Sequence, residues 1–201
     1  MKRASRIAIA LLVVAFSIAG CGHQLPSMGW ATLFDGTSAS LDQNWSRQGA
    51  SNWRIEDGAV VADKNPGKAA SFLVSRNTYR DYELRVEFWV SPDANSGIFM
   101  RCADANKITD RTCYEANIFD QRPDPSYGTG GIVHRAVVSP MPKAGGRWNT
   151  FVITAVGPDV TVALNGVVTV HMRDGELKSG PIALQHGRGV VKFRRVEIKP
   201  L

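Results

Sequence analysis

The chain has 201 residues, 44% of them hydrophobic and 21% charged, with a formal net charge of +6. That much apolar material excludes a disordered chain and can fill one sizeable core. Three of the excess cations, Lys2, Arg3 and Arg6, stand at the extreme N-terminus; without them the net charge is +3, interleaved with acids rather than gathered in a stripe, which argues against a nucleic-acid partner.

Residues 1–20 read as an export signal. Lys2, Arg3 and Arg6 form a basic start, Ile7 to Ile18 a short apolar run, and Ala19 and Gly20 the small residues before a cleavage point. Such a run is too short for a spanning helix. The order Ile18-Ala19-Gly20-Cys21 resembles the lipobox of bacterial lipoproteins, in which Cys21 becomes the lipidated first residue. An ordinary signal peptide beside an incidental cysteine is the plain alternative. The lipobox reading implies a membrane partner through acyl chains on Cys21, a tether over residues 21–29 and one folded domain over 30–201. Gly22 rather than Asp follows the cysteine, which by resemblance to Gram-negative sorting rules implies the bacterial cell envelope, at the outer membrane facing periplasm or exterior.

In chain order, Trp53 to Glu56, the Asp57-Gly58 turn and Ala59 to Ala62 predict a hairpin. From Tyr82 to Val90, Tyr82, Leu84, Val86, Phe88 and Val90 alternate with polar residues and Trp89, the period of a half-buried strand. Pro92 to Gly97 carry turn chemistry, a second strand ends at Arg101, and a third runs from Cys113 to Phe119. Alternation would place Arg101, Glu115 and Asn117 on one sheet face as a polar floor. Phe151 to Val156, Val160 to Leu164 and Val167 to His171, separated by Gly157-Pro158-Asp159 and Asn165-Gly166, predict a meander, and Ile182 to Gln185 and Val190 to Lys199 two more strands. No amphipathic stretch of ten or more residues predicts a helix. The pattern is that of an all-β sandwich or jelly roll.

With Cys21 lipidated, Cys102 and Cys113 are the remaining thiols, and an exported protein is expected to oxidise such a pair. A metal pair is the rival reading, disfavoured because no neighbouring Cys or His completes a tetrahedral set.

Several segments, in one order, carry a family resemblance. They are Leu33-Phe34-Asp35-Gly36-Thr37, Tyr79 to Arg85, Asn95 to Arg101, Tyr114 to Asp120, Trp148-Asn149-Thr150, Leu164-Asn165-Gly166 and Phe193-Arg194. The series resembles the 3-keto-disaccharide hydrolase domain family, over roughly Trp30 to Leu201. The resemblance implies a concanavalin A-like jelly-roll β-sandwich, a carbohydrate partner, and cleavage of glycosides already oxidised at C3. In such a sugar the ketone acidifies the C2 proton, so a base can remove it while the oxygen on C1 leaves, and water then adds. That route needs a base, an acid and a partner for the enolate oxygen. Glu115 and Asp120 are the nominated acid and base, Arg101 the enolate partner, and Asn95, Asn117, His134, Trp148, Gln185 and His186 the substrate-binding residues. Direct hydrolysis by paired carboxylates is the other chemistry, although a spacing of five puts Glu115 and Asp120 on opposite faces of a regular strand.

Two of these positions depart from the family's pattern. His134 follows Gly130-Gly131-Ile132-Val133, where relatives more often show an aromatic segment, and His186 follows Gln185 directly, where many relatives have one residue between Gln and His-Gly. A one-residue change of register turns a strand side chain to the other face unless a bulge compensates. No cofactor is expected; a divalent metal on His134, His186, Glu115 and Asp120 stays open, without ligand spacing in its favour. Plainer roles exist for each nominee: a cross-strand ion pair for Arg101 and Glu115, a turn cap for Asp120, core packing for Trp148. An enzyme, which the retained segments favour, and a non-catalytic sugar-binding module remain the two readings of one sandwich.

Overall fold

In a computed structural model of the chain, residues 29–201 are described; the expected signal over residues 1–20, Cys21 and all but the last residue of the expected tether over 21–29 lie outside them. Two antiparallel sheets pack face to face as a jelly-roll sandwich. The larger, of eight strands, runs in the order β11 (Val167–Arg173), β10 (Asp159–Leu164), β9 (Trp148–Val156), β6 (Tyr82–Val90), β13 (Val191–Pro200), β4 (Ala59–Ala62) and β3 (Arg54–Glu56), with β1 (Ala31–Phe34) also paired to β13. The smaller, of five, runs β2 (Trp45–Gln48), β5 (Ser71–Ser75), β12 (Ala183–His186), β7 (Ser96–Met100) and β8 (Tyr114–Ile118).

Alternation explains the central strands. In β6, Tyr82, Leu84, Val86, Phe88 and Val90 are buried and the residues between them only half-buried. Against them pack Leu73, Ile98 and Leu184 of the smaller sheet in one continuous core, each large apolar side chain contributing roughly 1.5 to 3 kcal/mol of burial. The turns follow their residues: Asp57 and Gly58 (φ +50° and +70°) and Asn165 and Gly166 (φ +51° and +84°) supply the paired positive φ of tight hairpins.

Three strands and a helix escape the sequence pattern. The helix, α1 (Ser38–Asn44), has only seven residues and is capped by Thr37, whose Oγ1 accepts from the Ser40 amide at 3.2 Å. Strand β5 lacks alternation because both its faces are covered: Leu73 enters the main core, while Phe72 and Val74 enter a second, smaller core with Phe99 and Ile108. This second core lies under the loop closed by the Cys102–Cys113 disulfide, so the loop is pinned to the outer face of the smaller sheet.

Candidate active site

Strand β8 sets the site. Tyr114, Ala116 and Ile118 point into the main core, which turns Glu115 and Asn117 to the outer face of the smaller sheet. The neighbouring β7 places Gly97 opposite Asn117 and Phe99 opposite Glu115. Glu115 lies across Gly97 so closely that a Cβ there would stand 2.7 Å from Oε1 and 3.0 Å from Cγ. Gln185 on β12 and Phe72 on β5 extend the floor, and Asn95, Arg122 and the disulfide loop's Ile108, Thr109 and Asp110 form walls around a cavity of about 310 Å³.

The electrostatics of this cavity are unusual for a sheet surface. Glu115 is only 6% exposed, and burial pushes its carboxyl up to about 8; the charge of Asp110 adds to the shift and Arg122 opposes it. At neutral pH Glu115 is therefore mostly a protonated acid. Gln185 is 9% exposed, and its Oε1 finds no hydrogen-bond partner among the described residues. A neutral acid beside an unfilled amide acceptor suits a ligand rich in hydroxyls, and the acid can also deliver a proton.

Some expected site residues lie elsewhere. Arg101 does not join the floor: β7 ends at Met100, and Arg101 turns away at φ +49°. Its side chain, with no exposure, donates to the carbonyls of Arg80 (2.7 and 3.0 Å), Gly157 (2.6 Å) and Leu177 (3.3 Å) and meets Asp81 at 3.1 Å. This corrects the enolate-partner reading: the guanidinium is spent on tying loops together. Asp120, beyond the end of β8, accepts from the amides of Ala144 and Gly145 and from Thr129 Oγ1, with Lys143 Nζ on its carbonyl. It is a loop latch, not a partner of Glu115.

Asn117 shares the face of Glu115, but its Nδ2 donates to the Tyr127 carbonyl at 2.6 Å. His186 sits on the core side of β12, its Nδ1 2.7 Å from Ser51 Oγ and its Nε2 2.9 Å from the Gly189 carbonyl, edge-on to Trp53. The shift of one position relative to Gln185 places it on the face away from the cavity. Trp148 is on the far side of the molecule, on the outer face of the larger sheet opposite Trp89, 37% exposed beneath the Arg194 guanidinium at 4.2 Å. His134 does not line the cavity itself but contacts one of its wall residues, its Nε2 3.0 Å from Asp110 Oδ2. The four residues considered for a metal thus do not converge, and among the described residues no group of three His, Cys, Asp or Glu could hold one.

A larger cavity, about 540 Å³, opens on the larger sheet between Asp35, Glu87, Arg194 and Arg195. Its charges are matched, with Arg194 Nε 2.6 Å from Glu87 and Asp35 accepting from Thr37 and Ser40, so it holds no group freed for chemistry. Of the residues around Glu115, the sequence did not point to Phe72, Phe99, Asp110 or Arg122. The cysteine spacing was the available signal, since closing that loop brings Asp110 back over β8.

Residues 29–199 match the family of the 3-keto-alpha-glucoside-1,2-lyase-like domain. The chain belongs to this family. A member of the 3-keto-alpha-glucoside-1,2-lyase-like family is a carbohydrate-active protein. No curated protein matches the chain. Among solved structures it is similar to a provisionally assigned glycosyl hydrolase of Parabacteroides distasonis, with TM-score 0.73 at 18% identity, covering 87% of this chain and 95% of that one. It is similar also to a β-glucanase of Bacillus licheniformis (TM-score 0.57, 13% identity, 79% and 92% covered) and to a family 66 carbohydrate-binding module of Bacillus subtilis (TM-score 0.56, 13% identity, 85% and 95% covered). At these identities the likeness is one of fold, a concanavalin-like sandwich used for both cleavage and binding.

Proposed function

We propose that this protein cleaves the glycosidic bond of 3-keto-glycosides by elimination and hydration, with Glu115 protonating the departing oxygen. The observation that carries the reading is the buried carboxyl of Glu115 lining a walled cavity together with the unpartnered Gln185 Oε1. An acid that keeps its proton to about pH 8 can supply it to a leaving oxygen at neutral pH. Gln185 accepts from a sugar hydroxyl, Asn95 contributes its amide at the rim, and Phe72 and Phe99 give the ring an apolar floor. Family membership supports the substrate class. We place the protein in the cell envelope, anchored through Cys21; the disulfide is in keeping with an oxidising compartment.

The test is release of reducing sugar from 3-keto-sucrose, 3-keto-trehalose and 3-keto-lactose beside their unoxidised parents, with Glu115→Gln as the control. Release from the keto forms alone, lost in the variant, is expected. Calorimetric binding without release from any of them would replace this reading with that of a sugar-binding module.

A further inference from the structure

Elimination needs a base as well as an acid, and the two residues nominated with Glu115 are engaged elsewhere. Among the residues lining the cavity, one other carboxylate is present, that of Asp110. We propose that Asp110 is the second catalytic carboxylate of this site, the general base that takes the C2 proton, and that His134 is its positioning residue. The proposal rests on the elimination reading above.

The loop is built to hold that carboxylate. Two residues before it, Ile108 is buried in the second core beside the disulfide. Next to it Thr109 and Thr112 close a turn around Asp110, their hydroxyls 2.9 Å apart and the Cys113 amide on the Thr109 carbonyl at 3.0 Å. The half-cystine at Cys113 then fixes the end of the turn to Cys102. From the other side, the Val133 amide donates to the Glu115 carbonyl at 3.0 Å, so the residue that follows is registered against β8 itself. That residue, His134, takes a φ of +61°, which a side chain larger than glycine rarely adopts, and carries its Nε2 to 3.0 Å from Asp110 Oδ2, with Tyr127 behind the ring at 5.9 Å. Glu115 and Asp110 are thus referred to one strand, through the backbone of Val133 and the imidazole of its neighbour. Such support is what holds a reacting group in productive geometry.

The step balances. Asp110 removes the proton from C2, the C2–H electrons form the C1=C2 bond conjugated with the C3 ketone, the C1–O bond breaks, and Glu115 gives its proton to the departing oxygen. Water then adds across C1=C2, its oxygen to C1 and a proton to C2, and the two carboxyls return to their starting states. No oxidant or reductant is needed.

The two roles separate experimentally on a 3-keto-1,5-anhydroglucitol, which has no glycosidic leaving group at C1, only the ring oxygen. In heavy water the full-length wild-type chain is expected to exchange the C2 proton for deuterium. Asp110→Asn should lower that exchange and the cleavage of 3-keto-glycosides by at least about a hundredfold. Glu115→Gln should abolish cleavage yet keep exchange. His134→Ala should cut kcat about tenfold or more with little change in KM, and His134→Gln, whose amide can still donate to Asp110, should restore most of it. Exchange that survives in Asp110→Asn and is lost in Glu115→Gln overturns the assignment while leaving the elimination reading intact. A wild-type chain that neither exchanges nor cleaves any keto-sugar overturns both. Unchanged melting of Asp110→Asn, expected for a partly exposed side chain in a crosslinked loop, shows that a loss is chemical.

Discussion

Replacing Glu115 by Gln should stabilise the protein, and by more as the pH rises. The carboxyl is held at about 8 in the fold against an ordinary value of 4.5. Between those values the folded chain keeps a proton that the unfolded chain gives up, so the contribution of Glu115 is complete below about pH 4.5, falls as the pH climbs, and levels off above about pH 8. The gap corresponds to roughly 5 kcal/mol across the window. Glutamine has nearly the same shape and no proton to lose. Urea unfolding of the two proteins from pH 5 to pH 9 should give nearly equal stabilities at pH 5 and a variant several kcal/mol more stable at pH 9. All other titrating groups are shared and cancel in the difference. A difference that stays flat with pH would refute the reasoning, and one of opposite sign would show that Arg122, which opposes the shift, holds the carboxylate ionised. A stabilised but inactive variant would mark the usual cost of an acid kept buried for chemistry.

Arg101→Lys should lower stability by about 3 to 5 kcal/mol, since an ammonium cannot reach three carbonyls and Asp81 from that buried position; a thermal midpoint within a degree or two of wild type would contradict the anchoring role. Gly97→Ala should move the Glu115 carboxyl off β7, because the new methyl would stand 2.7 Å from Oε1. Cleavage should drop at least about tenfold and stability fall by about 1 to 3 kcal/mol, since the methyl also crowds Cγ of this buried side chain at 3.0 Å; unchanged turnover would mean that its position across Gly97 is immaterial. Trp148→Ala should leave KM for a keto-sugar within about twofold, because Trp148 lies on the other sheet; a large rise in KM would move the binding surface to that side.

The strands with one buried face were legible. From Tyr82 to Val90 the sequence alternation and the observed β6 coincide, and the Asp57-Gly58 and Asn165-Gly166 turns announce their hairpins because positive φ has few tolerant residues. Glu115 and Asn117 on one face, and the pairing of Cys102 with Cys113, were readable for the same local reasons. Arg101 was not, because alternation holds only while the strand continues, and the chain leaves β7 one residue earlier. Neither was β5, whose covered faces erase its period. The sequence by itself determined the sandwich, through the two-residue period and its turns, and the presence of a carboxyl on an outward face. Only the tertiary structure decided that this carboxyl is buried and that Asp110 and Gln185 share its cavity while Arg101, Asp120, His186 and Trp148 do not. That decision depends on which loop folds over which sheet, a matter of contacts between residues far apart in the chain, which no local pattern encodes.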